Sequence, residues 1–142
     1  MSDIVIVFHS GYGHTAKVAQ AVAEGSGGTL LAIDAEGNLP EGGWEKLAAG
    51  FTNSASLNGD KFNTLAYFFT LSQQHGMLWA GMGMMPANVK ASTRDSINNV
   101  AGFSGLMTAT PADASTEEMV PGDIATAKAF GQRVAEALSL LK

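Results

Sequence analysis

Two short polar stretches hold most of the residue types here that could act on a small ligand. The first is His9-Ser10-Gly11-Tyr12-Gly13-His14-Thr15, with two glycines and three hydroxyls. It follows Ile4 to Phe8, an unbroken apolar, largely β-branched run that reads as a strand buried on both faces of a parallel sheet. It precedes a helical pattern with Val18, Ala21, Val22 and Gly25 on one face and Lys17, Gln20 and Glu24 on another. A strand, a glycine and hydroxyl loop and a helix start make an anion site, because the helix's first N–H groups lack internal partners and its dipole end is positive. A phosphate monoester fits there. The plainer reading is that any strand-to-helix turn favours Gly, Ser and Thr. The loop is neither a Walker loop nor a GxGxxG fingerprint, since no Lys-Ser/Thr follows and a third glycine is missing.

The second stretch is Thr52 and Asn53, at the end of a short strand, with Ser54-Ala55-Ser56-Leu57-Asn58-Gly59 after them. It lies at a strand's carboxyl end, where open α/β sheets place ligands. Of the histidines, His9 reads as structural and His14 as a loop hydrogen-bonder rather than a base. His75 stands before Gly76, where a cation also suits a helix C-terminus, so a cap and a catalytic role weigh about equally. Tyr12 is the better functional candidate, an aromatic at a glycine-flanked loop tip with no core to fill. The methionines Met77, Met82, Met84 and Met85 suit an interface or acceptor site, or soft core packing, which is favoured.

The elements around these loops alternate strand and helix. After the first helix, Gly25 to Gly28 break the pattern and Thr29 to Ile33 read as a second buried strand ending at Asp34. Ala35 to Gly43 is turn-rich, and Trp44 to Ala49 reads as a brief helix. Gly50 to Asn53 reads as the third strand. Asn58 or Asp60 caps a helix with Phe62, Leu65, Phe69 and either Tyr67 or Phe68 inward, stopped by Gly76. Met77 to Ala80 is a fourth strand. Gly81 to Thr110 is a long excursion, functional or hiding a small strand, for which Phe103 to Met107 is the best candidate. Pro121-Gly122-Asp123 opens a last helix carrying Ile124, Ala127, Phe130, Val134, Leu138 and Leu141 at helical spacing. This alternation predicts an α/β fold, a three-layer doubly wound parallel sheet with helices on both faces.

Composition narrows the class. The 142 residues suit one domain spanning 1–142, and the net charge of −5 comes with no basic stripe, which argues against nucleic acid. There is no cysteine, so disulfide and thiolate chemistry are out, and a reducing cytoplasm is expected. No apolar run reaches the ~20 residues of a membrane span, strand one leaves no room for a signal peptide, and no metal site is read.

Ser10-Gly11-Tyr12-Gly13-His14-Thr15 resembles the phosphate loop of flavodoxin-like FMN proteins, and its spelling is similar to the tryptophan-repressor-binding-protein type of NAD(P)H:quinone oxidoreductase. Phe51 to Ser56, Gln74-His75-Gly76-Met77 and Met119 to Asp123 are also family-like. The resemblance implies that Ser10 to Thr15 hold the FMN phosphate and that Tyr12 also faces the nicotinamide. It further implies that Asn53 to Asn58 follow the flavin ring and ribityl chain, with His75 near the isoalloxazine. It implies two-electron transfer from NAD(P)H through FMN to a quinone in one step, and a homo-oligomer, dimer or tetramer, with active sites at subunit contacts. The departure lies near residues 45–50, where the family has a further strand, a Ser-Pro-Thr-Tyr-type loop and a helix, roughly 40 residues. With that unit excised, the expected sheet has four main strands in the order 2-1-3-4, the strand at Gly50 docking beside strand one. A second copy completing the sheet by swapping is the alternative. The lost parts include the loop at the flavin's pyrimidine edge, so a non-catalytic binding or oligomerisation module with weak FMN affinity stands beside the enzyme. A one-electron carrier is less favoured, because short-chain flavodoxins are far more acidic.

Overall fold

In the computed structural model, which describes residues 4–36, 38 and 47–141, the chain runs β1 (Val5–Phe8), α1 (His14–Ser26), β2 (Thr29–Ala32), β3 (Leu47–Ala48), β4 (Phe51–Ser54), α2 (Lys61–Gln74), β5 (Leu78–Trp79), β6 (Leu106–Ala109), a 3₁₀ turn (Thr116–Glu118) and α3 (Pro121–Ser139). Every described strand pair is parallel: β1 with β2, β3 with β5, and β4 with β6. Only Ala49 and Gly50 separate β3 from β4, so Leu47 to Ser54 form one ribbon that β5 and then β6 flank. The α/β fold with parallel strands is as expected.

The continuous 2-1-3-4 order does not form. Among the described strands none pairs with β1 except β2, and β4 pairs only with β6. The sheet is two half-sheets, and a cleft separates β1 from β4. Strand one is correspondingly not covered on both faces. Ile6 is buried against α1 and α3, whereas Val5 and Val7 are exposed on the other side. Leu30 of β2 is exposed as well. A buried-strand composition needs layers on both faces, and among the described residues only one covers β1.

The core lies between the half-sheets and the α1–α3 layer, built from Ile6, Val18, Val22, Leu106, Met119, Ala127 and Phe130. The two helices cross at reciprocal glycines: a Cβ on Gly25 would lie 1.9 Å from the Lys128 carbonyl oxygen, and one on Gly131 2.1 Å from that of Val22. Met82 is fully buried in this core and Met77 is buried beside α2, while Met85 is exposed, so most of the methionine cluster is packing.

Several local readings shift. Trp44–Lys46 lie outside the described residues, and Leu47–Ala48 is strand rather than helix. The strand within the excursion is Leu106–Ala109, a few residues beyond Phe103 to Met107. In α2 Leu65 is fully buried, but Phe62, Tyr67 and Phe69 are exposed. The helix is apolar nearly all round, so spacing alone could not select its inner face. Phe69 instead meets Trp79 edge to face at 5.9 Å, and the Trp79 indole N–H donates to the Ser104 carbonyl (2.7 Å). Asp60 stands at the N-cap as expected, although its side chain makes no capping bond.

Candidate functional site

The first loop reaches α1 through Gly13, whose φ of 87° is left-handed and suits a residue without Cβ. No side chain caps α1, and its first turn contains no acid. The helix's leading N–H groups therefore converge, with the positive dipole end, beside the half-buried Ser10 and Thr15. A Cβ at Gly11 would meet nothing within 4 Å, so the loop's outer side is open. Tyr12 stands out at 84 % exposure. His14 is buried and its Nε2 donates to the Ala114 carbonyl (2.7 Å). That bond ties the loop to the 110–118 segment and makes His14 a structural hydrogen-bonder, as its position suggested. Thr116 closes the other side, its methyl 3.3 Å from where a Gly13 Cβ would be.

The 110–118 segment is held by its own cap: the Ser115 N–H donates to Glu118 Oε2 (2.8 Å) in a capping box. Those bonds hold the Glu118 carboxyl below the usual carboxylate range.

The second loop is built on a residue that sequence reading passed over. Lys61 is fully buried, and its Nζ donates to the carbonyls of Ser56, Leu57 (2.9 Å) and Asn58 (3.3 Å). Three loop carbonyls thus converge on one ammonium. Burial lowers the Lys61 pKa, Asp123 opposes that shift, and Arg94 adds to it. Gly59 (φ 51°) and Asp60 (φ 49°) turn the chain into α2. Asn53 is committed to its neighbours, its Oδ1 accepting from Thr108 Oγ1 (2.9 Å) and Thr110 Oγ1 (3.0 Å). Ser54 donates to the Ser56 carbonyl (3.1 Å), while Ala55, Ser56, Leu57 and Asn58 are exposed.

Thr15 of the first loop and Thr52 of the second line one cavity of about 570 Å³, the cleft between the half-sheets. Its walls are Ile4 to His9 of β1 and Leu47 to Thr52 of the β3–β4 ribbon, with Phe130 and Val134 of α3 and Phe68 and Leu71 of α2 closing the sides. The inner ends of the two predicted stretches, His9 and Thr15 of the first and Thr52 of the second, are therefore brought to one crevice, whereas Ser10 to His14 and Asn53 to Gly59 do not line it. His75 is not among the residues lining it, although Leu71, Ser72 and Met77 on either side of it are. It is exposed at the C-cap of α2, a 14-residue helix that starts from the second loop, so about 20 Å of helix separates the two within one chain.

Arg94 and Asp123 support the site from behind. Arg94 Nη2 and Nη1 donate to Asp123 Oδ2 (2.8 Å) and Oδ1 (3.1 Å), and the Ala109 N–H donates to Oδ2 (2.9 Å). The pair joins the excursion, the end of β6 and the start of α3. Nothing in local sequence pattern marks it.

The chain is 38% identical over 176 residues to Flavodoxin FldP of Pseudomonas aeruginosa, an alignment covering 95% of this chain and 96% of that protein. It is also similar to a solved structure described as the flavodoxin, WrbA-like protein from Agrobacterium tumefaciens, at 35% identity with a TM-score of 0.75 and full coverage of both chains. No protein-family model matches the chain.

Proposed function

The chain belongs to the flavodoxin family, and from that premise we propose that it binds FMN with the phosphate on Ser10 to Thr15. The observation that carries this reading is the N-terminus of α1: uncapped by any side chain, free of acids in its first turn, and entered through a left-handed glycine. A phosphate dianion there would take up N–H groups that the fold leaves without a capping side chain. Ser10 and Thr15 hydroxyls would add donors. The loop at 53–59, shaped by Lys61, would flank the ribityl chain, and the cleft beside Thr52 would receive the ring.

Bound there, FMN supplies hydride chemistry between a nicotinamide and a quinone-type acceptor. The WrbA-like neighbour supports this NAD(P)H:quinone oxidoreductase reading. The protein's part would be position and exclusion of water. Exposed Tyr12 would stack on the nicotinamide at the loop tip. His75, about 20 Å of helix from the second loop, would act at the second loop of a neighbouring copy, and the reading includes a homo-oligomer.

The aligned span of 176 residues exceeds this chain's 142, and in our reading the difference is the segment excised near residues 45–50. The cleft between β1 and β4 favours a second reading on that account: a module that holds FMN weakly by its phosphate alone, without turnover.

FMN titration by quenching of flavin fluorescence tests the binding. A dissociation constant in the micromolar range or tighter is expected, and fluorescence untouched by the protein refutes the assignment. Gly13→Glu, which sets a carboxylate beside the phosphate on a strained backbone, should weaken binding at least tenfold. Thr15→Val provides a milder check if the first variant fails to fold. NAD(P)H:benzoquinone turnover then separates the enzyme from the binding module.

A further inference from the structure

The cleft between β1 and β4 is walled on both sides by strand edges. On one wall the Ile4 and Phe8 carbonyls accept from the Thr29 and Ile33 N–H groups of the β2 side (2.9 and 2.8 Å). Backbone direction alternates along a strand, so Val5 and Val7 turn their polar groups away from β2, toward the cleft they line. On the other wall the Gly50 and Ser54 carbonyls accept from Leu106 and Thr110 (3.0 and 3.1 Å), so Phe51 turns its backbone to the same cleft. Two strand edges without a described partner thus border one apolar space. Such edges are templates for strand addition.

A second observation identifies the element that such a strand would lead into. Among the described residues the face of β1 opposite the α1–α3 layer is bare: Val5 and Val7 are 42 % and 40 % exposed, whereas Ile6 on the covered face is 5 % exposed. A strand in the cleft leaves those side chains in water. A strand continuing into a helix covers them. The family relative has residues enough for such an element, since its alignment spans 176 positions against this chain's 142.

We infer that the cleft is an acceptor for a strand-and-helix segment supplied as a separate polypeptide, making this chain the larger piece of a two-piece flavodoxin. The inference rests on the family reading above. The occupant is an extended apolar strand of about five residues, running parallel to its neighbours and continuing into an amphipathic helix. A second copy of the chain is a poor donor, because each described strand is already engaged in a pair within its own fold.

The test uses the full chain and a synthetic peptide: the stretch of the Pseudomonas aeruginosa flavodoxin that aligns to no residue of this chain. Calorimetry and the fluorescence of Trp79, which lines the cleft, should report saturable 1:1 binding, with a rise in thermal midpoint. Two further peptides carry backbone N-methyl groups on alternate strand residues, one parity removing the donors to β1 and the other those to β4. Each should bind at least tenfold more weakly. No saturable binding overturns the inference. So does binding by both methylated peptides equal to that of the parent, which marks mere adhesion to an apolar surface. A chain that is dimeric alone and excludes the peptide also overturns it, in favour of a second copy. FMN titration with and without peptide keeps the two readings apart. FMN bound without peptide binding sinks the acceptor alone, and peptide bound with no FMN binding in either state sinks the cofactor reading alone.

Discussion

Asp123→Asn is the substitution from which the most can be learned about how this fold is tied together. The Asp123 side chain is 3 % exposed and receives both Nη atoms of Arg94 together with the Ala109 N–H, while the Arg94 side chain is 32 % exposed. An asparagine keeps one acceptor oxygen and the shape, but it removes the charge facing the guanidinium. Breaking a buried pair by deleting one partner costs about 3–5 kcal/mol. Water reaching the exposed third of Arg94 recovers part of that, so we expect about 2–3 kcal/mol. For a chain of this size the loss corresponds to about 5–10 °C in Tm. Urea unfolding of the wild type, Asp123→Asn, Arg94→Met and the double variant measures it. The double variant should cost less than the sum of the singles by more than about 1 kcal/mol, because removing Arg94 also removes the uncompensated charge. Lys61 provides a second readout. Asp123 is the neighbour that opposes the lowering of its pKa, so the Lys61 ammonium should titrate still lower in Asp123→Asn. A cost below about 1 kcal/mol, or strict additivity, would refute the view that this pair anchors the excursion to β6 and α3.

Gly131→Ala should destabilise by about 2 kcal/mol despite its better helix propensity, because the new methyl meets the Val22 carbonyl and must push α1 from α3; a raised urea midpoint would contradict that. Lys61→Met should leave the core intact and free the carbonyls of residues 56–58, seen as faster amide exchange across that loop. The same variant has a pH signature. Because burial holds Lys61 below the 10.5 of an exposed lysine, the folded state binds fewer protons and wild-type stability rises as pH climbs from the folded pKa toward 10.5. Lys61→Met should lack that rise, and parallel pH profiles would show the assigned shift to be wrong.

The parts legible in the sequence are those fixed by neighbours along the chain. The β1–loop–α1 unit follows from an apolar run, a glycine loop and one helical stripe, and α3 follows from Pro121 and its helical spacing. The second loop is recognisable as a polar stretch after a strand. What gives it shape is not: Lys61 reads as a surface lysine, and only the folded chain shows three carbonyls around its ammonium. The Arg94–Asp123 pair and the Asn98 side chain, which bonds the Met84 and Gly102 backbones, organise the excursion through partners that no periodicity marks. The sheet order escapes for a related reason. Crossover length permits β4 to dock on β1, but whether it closes up depends on the helices already seated on both halves.

Those helices explain why the half-sheets keep their separation. α1 touches β1, β2 and β4, α3 touches α1 and β6, and the 110–118 segment fastens the α1 N-terminus through His14 and Ala114. Moving β4 onto β1 would drag β6 with it, through the β4–β6 ladder, and pull α3 across α1. That shift would break the glycine-to-carbonyl contacts at Gly25 and Gly131 and strain the Arg94–Asp123 tie. Closure would gain a few ladder hydrogen bonds at about 1 kcal/mol each and bury the apolar lining of the cleft, at the cost of those contacts. The retained cleft keeps the close helix crossing and the Arg94–Asp123 tie intact. It also leaves the first and second loops apart, with the space for a flavin ring and the space for a strand opening into one another.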